Sequence, residues 1–251
     1  MIDVTGVSLT YQQDSGKVEA LNGIDLHISP GESCAIIGPS GCGKSSLLFL
    51  MAGLLSPIKG SVSVSGVPVS GPRPETALIL QDYGLFPWKN VWQNTVLGLE
   101  IRHVEKKKQK EIALPILEQL GLADFIHHFP GQLSGGMRQR VAIARALALH
   151  PDLMLMDEPF SALDALTREN LQRTILDIWQ QRRFTMVLVT HSIEEAVFLG
   201  RQVGVFSPRP GRILALMENP MAGDPSYRSM PQFYHQCTLI RGILEGSRNG
   251  G

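Results

Sequence analysis

Gly38-Pro39-Ser40-Gly41-Cys42-Gly43-Lys44-Ser45 fits the pattern Gly-x4-Gly-Lys-Ser/Thr, set between the apolar run Ala35–Ile37 and a helix predicted from Lys44 to about Ala52. Glycines let the backbone turn tightly enough for successive N–H groups to converge on a polyphosphate, and a helix N-terminus adds positive potential at the same point. Lys44 supplies a full charge. Ser45 offers a hydroxyl to Mg2+, a hard ion that keeps several waters and shares oxygens with phosphates. The alternative is a glycine-rich strand–helix turn with no ligand. Farther on, Leu153-Met154-Leu155-Met156-Asp157-Glu158 is an apolar strand ending in two carboxylates. Asp157 is suited to the metal's shell and Glu158 to polarising an attacking water, the two roles that phosphoryl transfer to water requires. An Asp-Glu pair capping the helix after Pro159 is the plainer reading, and it loses ground once a phosphate cradle stands in the same chain. No Asn-Lys-x-Asp motif for reading guanine occurs, so adenine is the better expectation.

A third group, Ser134, Gly135 and Gly136 in Leu133-Ser134-Gly135-Gly136-Met137-Arg138-Gln139-Arg140, precedes the alanine-rich helical stretch Val141–Leu149. A serine hydroxyl with free N–H groups can stabilise charge developing on a terminal phosphate, and it can equally be an ordinary N-cap.

These groups need elements to hold them. The first third reads as short strands between turns: Val4–Leu9, Ile24–Ile28, Ser33–Ile37, Val62–Val64 and Thr76–Leu80. From about Trp88 to His150 the texture is helical. It contains a charged stretch at Arg102–Lys110, and Ile116, Leu117 and Leu120 fall at helical spacing before Gly121. Pro115 lies inside this pattern, where its missing N–H predicts a break. Leu153–Met156 and Met186–Val189, separated by a helical segment from about Ala162 to Arg182, give the strand–helix–strand signature of a parallel sheet. Phe233, Cys237, Ile240 and Leu244 share one helical face, which predicts a terminal helix docked on the body and frayed at Gly250-Gly251.

Composition removes several classes. With 23 basic and 23 acidic residues the chain has no net field to draw it to nucleic acid, and a solvated helix face explains the run Arg102–Lys110. The longest apolar run, Leu47–Leu55, is interrupted by Gly53 and falls well short of the ~20 residues that span a bilayer. The start, Met1-Ile2-Asp3-Val4, lacks a basic and apolar secretory pattern, which makes the cytoplasm the expected address. Cys34, Cys42 and Cys237 are odd in number and widely spaced, which suggests neither a disulfide framework nor a zinc site.

Taken in order, these motifs resemble the ATP-binding cassette ATPases along nearly the whole chain. The Walker A motif is Gly38–Ser45, the signature Leu133–Gln139, the Walker B motif Leu153–Glu158 and the D-loop Ser161–Asp164, and the switch histidine His191 follows Thr190. The resemblance implies an α/β fold: a P-loop, RecA-like mixed-sheet core with an antiparallel β subdomain and an inserted α-helical subdomain. The core would span residues 1–88 and 151–218, the helical insertion 89–150 and a helical tail 219–251. It implies that Gly38, Ser40, Gly41, Cys42, Gly43, Lys44, Ser45 and Ser46 bind ATP, with Tyr11 stacking on adenine. Ser45, Gln81 and Asp157 would hold Mg2+, and Glu158, His191 and Gln81 would be catalytic. Ser134 and Gly136 would serve ATP held by a second copy of the chain, head to tail, and Gly135 and Asp164 would also take part in binding the nucleotide. Cys42 lies within the cradle, so alkylation of its thiol is expected to block ATP binding.

Gln81–Trp88, the Leu-Ser-Gly-Gly-Met signature, Ser161–Arg168 and Ser207-Pro208-Arg209-Pro210-Gly211-Arg212 look like the nitrate/sulfonate/taurine importer branch. That resemblance implies an ATPase at the cytoplasmic face of the inner membrane, working with permease subunits and, indirectly, a solute-binding protein. Asp82–Trp88 would form the groove that receives the permease. Ser192 stands where importers usually have Asp, which puts coupling in question. Family members that remodel nucleic acid or ribosomes are the alternative, but they need a long coiled-coil insertion or two cassettes in one chain, and the interval from Gln81 to Ser134 holds only a compact lobe.

Overall fold

The computed structural model describes residues 1–13 and 16–249; the fraying expected at Gly250-Gly251 lies outside them. The chain runs β1 (Ile2–Gln13), β2 (Gly16–Ile28), β3 (Ser33–Ile37), α1 (Lys44–Met51), β4 (Lys59–Val64), β5 (Val67–Pro68) and β6 (Thr76–Ile79). The helices α2 (Val91–Ile101), α3 (Lys106–Gln119) and α4 (Gly135–Ala148) follow. Then come β7 (Leu153–Asp157), α5 (Ala165–Arg182), β8 (Thr185–Thr190), α6 (Ile193–Leu199), β9 (Gln202–Phe206), β10 (Ile213–Glu218) and α7 (Pro231–Asn249).

Two sheets result. The strands of the first third divide between them: β2-β1-β4-β5 form an antiparallel sheet, while β3 and β6 join a six-stranded sheet of order β10-β9-β3-β8-β7-β6. In the second sheet only β10 is antiparallel to its neighbour. Every residue of β3, β7 and β8 is buried, as parallel strands covered on both faces must be. One apolar core lies between this sheet and α2 to α7, and a second joins its other face to α1 and the antiparallel sheet. This is the α/β architecture that the motif order implies.

Local chemistry sets the helix starts. α4 begins six residues before the apolar stretch Val141–Leu149, because Ser134 caps it, its Oγ accepting from Met137 N–H at 3.3 Å. α5 begins at Ala165 and not Ala162, because Asp164 is its cap and accepts from Thr167 N–H at 3.0 Å. The break expected at Pro115 does not occur: α3 is continuous through it. Pro115 and Glu111, the residue four earlier whose carbonyl loses its donor, are both exposed, so that side of the turn is open to solvent, while the buried Ile116 and Leu117 hold the turn to the core. In α7, Phe233, Cys237 and Ile240 are buried with Leu244 packed beside them, as their spacing predicts. No helix among the described residues is long and apolar enough to cross a membrane.

Candidate functional site

Four neighbouring parallel strands end at one edge of the larger sheet. Ile37 of β3 pairs with Thr190 of β8, Val189 of β8 with Asp157 of β7, and Met156 of β7 with Ile79 of β6. The residues that follow each strand therefore emerge side by side: the cradle Gly38–Ser45, then His191, Glu158 and Gln81. Carboxyl ends of parallel strands are where open α/β sheets place their ligand crevices. A cleft of about 610 Å3 lies here, lined by Tyr11, Ser40, Gly41, Gly43, Lys44, Ser45, Ser46, Gln81, Glu158 and His191. Gly38, Cys42 and Asp157 are not in this lining; Asp157 lines a second recess with Gln81.

The cradle is pressed against β2. Gly43 has φ 107°, and a Cβ there would sit 2.6 Å from the Ala20 carbonyl oxygen, so only glycine fits. Lys44 is buried, and its Nζ donates to the Gly38 and Pro39 carbonyls at 2.9 and 2.8 Å, which holds the charge over the loop. Cys42 is less accessible than its place in the cradle suggests. Its side chain is 1% exposed and packs into the apolar core behind the loop, and burial pushes its thiol pKa up. Cys42 could therefore serve the cradle only through its backbone, and alkylation at neutral pH would be slow, because the thiolate is the reactive form.

Ser45 Oγ donates to Asp157 Oδ1 at 3.0 Å. Asp157 is buried, and its carboxyl pKa is raised by that burial, with the Ser45 bond opposing and the neighbouring Glu158 charge adding to it. A hydroxyl and a carboxylate in contact, the carboxylate under-compensated in a dry setting, make an oxygen donor set that fits a hard divalent cation.

Glu158 adopts a left-handed backbone, φ 47°, which costs a non-glycine residue on the order of 1–3 kcal/mol. Its N–H donates to the Val189 carbonyl at 3.0 Å, which helps hold it there, and its carboxylate Oε2 lies 3.0 Å from His191 Nδ1. Tyr11 Oη and Ser46 Oγ are 3.0 Å apart, which ties the tyrosine to the start of α1. Gln81 is exposed on the loop after β6 and faces the cleft.

Ser134, Gly135, Gly136 and Asp164 do not line this cleft. They form a second cluster: a Cβ on Gly136 would lie 2.9 Å from Thr167 Cγ2, and the bond from Thr167 holds the Asp164 carboxyl pKa below the ordinary value. Both polar side chains of this cluster cap their own helices.

Several participants were not assigned to the site from sequence. Val18, Ala20 and Arg209 line the cleft beside Tyr11. Behind His191, Thr190 Oγ1 donates to the buried Glu195 Oε2 at 2.5 Å, and Arg168 Nε lies 3.6 Å from the other oxygen. Ser192, the departure from the importer pattern, caps α6 by accepting from Glu195 N–H at 3.3 Å, a role in which serine and aspartate are near equals. Arg145 of α4 donates to the Tyr83 and Gly84 carbonyls at 2.8 and 2.7 Å. Asn94 of α2 accepts from Phe86 N–H and donates to the Phe86 and Lys89 carbonyls. The signal was present in sequence only as polar residues inside apolar helical faces. Beside this loop an apolar groove of about 340 Å3, lined by Leu78, Phe86, Leu97, Ile101 and Leu149 among others, opens to solvent. Trp88 is 69% exposed, with its ring centroid 5.3 Å from that of Phe86.

Comparison with known proteins agrees with this geometry. Residues 21–161 match the family described as ABC transporter. The taurine import ATP-binding protein of Yersinia pseudotuberculosis is 47% identical over 249 residues, covering 96% of each chain. The nitrate import ATP-binding protein of Synechocystis is 40% identical, covering 98% of this chain and 95% of its own length. Among solved structures, a dimeric post-hydrolysis ATP-binding cassette bound to ADP and Pi superposes with a TM-score of 0.78 at 30% identity, covering 87% of this chain and 98% of that one.

Proposed function

This chain belongs to the ATP-binding cassette transporter family, and we propose that it is the ATP-hydrolysing subunit of an importer for a small anion such as nitrate, a sulfonate or taurine. The likeness to taurine and nitrate import proteins over nearly the full length supports the importer reading. The observation that carries the hydrolytic reading is the pair Glu158 and His191, 3.0 Å apart, in the same cleft as Lys44 and Ser45.

In this reading the cradle N–H groups and Lys44 bind the phosphates, and Tyr11 contacts adenine. Glu158 orients the attacking water and accepts its proton, while His191 steadies the carboxylate and reaches the terminal phosphate. Ser45 and Asp157, with Gln81, would hold Mg2+, which when bound neutralises charge on the phosphates. The signature cluster at Ser134 and Gly136 lies outside its own cleft and would complete the site of a second copy, head to tail. Core 1–88 with 151–218, helical insertion 89–150 and tail 219–251 would then act as the moving parts. The groove beside Phe86 and Trp88 would receive permease subunits, keeping the chain peripheral at the cytoplasmic face of the membrane, with a solute-binding protein acting through the permease.

Glu158→Gln tests the proposal. The variant retains the cradle and loses the base, so with ATP and Mg2+ it should accumulate as a closed dimer by light scattering after size exclusion. A species that stays monomeric while binding ATP would refute the head-to-tail reading.

A further inference from the structure

Arg209 sits at the exposed tip of the hairpin between β9 and β10, and it lines the nucleotide cleft with Tyr11, Val18 and Ala20. The hairpin is locked in place. Ser207 Oγ donates to the Pro210 carbonyl at 3.0 Å and accepts from Arg212 N–H at 3.0 Å. Gly211 N–H donates to the Ala20 carbonyl at 2.9 Å, and Asn22 N–H returns a bond to Gly211 at 3.0 Å. A Cβ on Gly211 would fall 2.2 Å from the Cys42 carbonyl oxygen, so the loop abuts the phosphate cradle as closely as backbone allows. Gly43 meets the same Ala20 carbonyl from the other side. Hairpin, β2 and cradle thus converge on one point, and the place of Arg209 relative to Tyr11 and Lys44 is set by backbone contacts.

The Arg209 guanidinium makes no hydrogen bond or ion pair among the described residues. Gly211 bridges Leu21 of β2, so Arg209, two residues earlier, runs beside the stretch of β2 that brings Val18 and Ala20 to the cleft, and Val18 pairs with Tyr11 of β1. A planar cation beside an apolar wall and an aromatic ring is suited to the face of a base.

We propose that Arg209 contacts the adenine of bound ATP through its guanidinium plane, so that the purine is held by the β9–β10 hairpin as well as by Tyr11. The proposal rests on the ATP-binding reading above. The test is equilibrium binding of ATP, ADP and inorganic tripolyphosphate to the full chain carrying Arg209→Ala or Arg209→Lys. Arg209→Ala should weaken ATP and ADP by the same factor, about two- to fivefold for an exposed cation–π contact. Tripolyphosphate, which has no base, should bind unchanged, and Arg209→Lys should recover part of the loss. Equal affinity of Arg209→Ala and the parent chain for ATP would overturn the proposal, as would an equal loss for tripolyphosphate. If the parent chain itself failed to bind ATP, the ATPase reading would fall and take this inference with it.

Discussion

Removing the Arg145 guanidinium should separate ATP binding from ATP turnover. Arg145 bonds two consecutive carbonyls, those of Tyr83 and Gly84, and Tyr83 is held at φ 66°, a left-handed conformation unfavourable for a tyrosine. Each bond from a charged donor contributes about 1.5–3 kcal/mol when buried, and partial exposure reduces this, so Arg145→Ala should lose about 2 kcal/mol in all. For a chain of this size that lowers the melting temperature by about 4–8 °C. The functional effect is local. Freed of Arg145, Tyr83 can relax, and the residues just before it, Gln81 and Asp82, shift with it. Lys44, Ser45 and Asp157 belong to other loops and stay in place. ATP affinity should therefore hold, while kcat falls by about tenfold or more, as misplacement of a group at a reacting centre commonly causes. Arg145→Lys can reach only one carbonyl at a time and should recover part of both losses. Calorimetric unfolding, ATP binding and steady-state kinetics on the three proteins decide the matter. An unchanged melting temperature, or affinity and turnover lost in proportion, would refute this account.

Two other perturbations have expected outcomes that follow from burial. Asp157→Asn removes a buried carboxylate whose pKa is raised, so the folded wild type binds more protons than the unfolded chain across the interval between the two pKa values. Wild-type stability therefore falls as pH rises through that interval. The variant's gain should be absent in acid and fully developed at neutral pH in urea titrations, while Mg2+-dependent hydrolysis is lost. Trp88→Ala removes an exposed aromatic that carries little of the fold, so basal ATPase and stability should be unchanged while stimulation by a co-purified permease is lost; an unaltered stimulated rate would detach the groove from the permease.

The parts of the cleft that sequence revealed are those whose chemistry is written in consecutive residues. Gly38–Ser45 carries its own turn, charge and hydroxyl, and Leu153–Glu158 carries both its buried strand and its paired acids, so short-range pattern sufficed. One helix cap was legible in the same way, Ser134, placed at a helix N-terminus by the glycines and alanine-rich stretch that follow it, whereas Asp164 was not. The strand Ser33–Ile37 is legible because Pro30-Gly31 and Gly38-Pro39 punctuate both sides of a short run that is apolar from Cys34 on, as five residues covered on both faces require. Pro115 shows where local reasoning stops. A missing N–H predicts a break only if the orphaned carbonyl has no other partner, and the sequence does not say that this carbonyl faces water.

The roles of Arg209 and Arg145 were illegible for a related reason, although Arg209 stands within the Ser207–Arg212 motif. Each acts across a sequence separation that only the fold closes: Arg145 lies 61 residues from Gly84, and the hairpin carrying Arg209 is fastened to Ala20 and Cys42. Such roles leave no local signal, because a partner that is a backbone carbonyl can be supplied by any sequence. They also mark where the two motifs found from sequence are joined to the rest of the molecule. The cradle is fixed to the antiparallel sheet and to the β9–β10 hairpin through Gly43 and Gly211, whereas the loop bearing Gln81 is fixed to the helices through Arg145 and Asn94. The groups that would bind phosphate and the group that would complete the water's surroundings thus follow strands of one sheet but are braced by different neighbours. A shift of α2 and α4 relative to the sheet would move Gln81 and leave the cradle untouched, which is the arrangement a subunit needs if occupancy of the groove beside Phe86 and Trp88 is to control hydrolysis without controlling ATP binding.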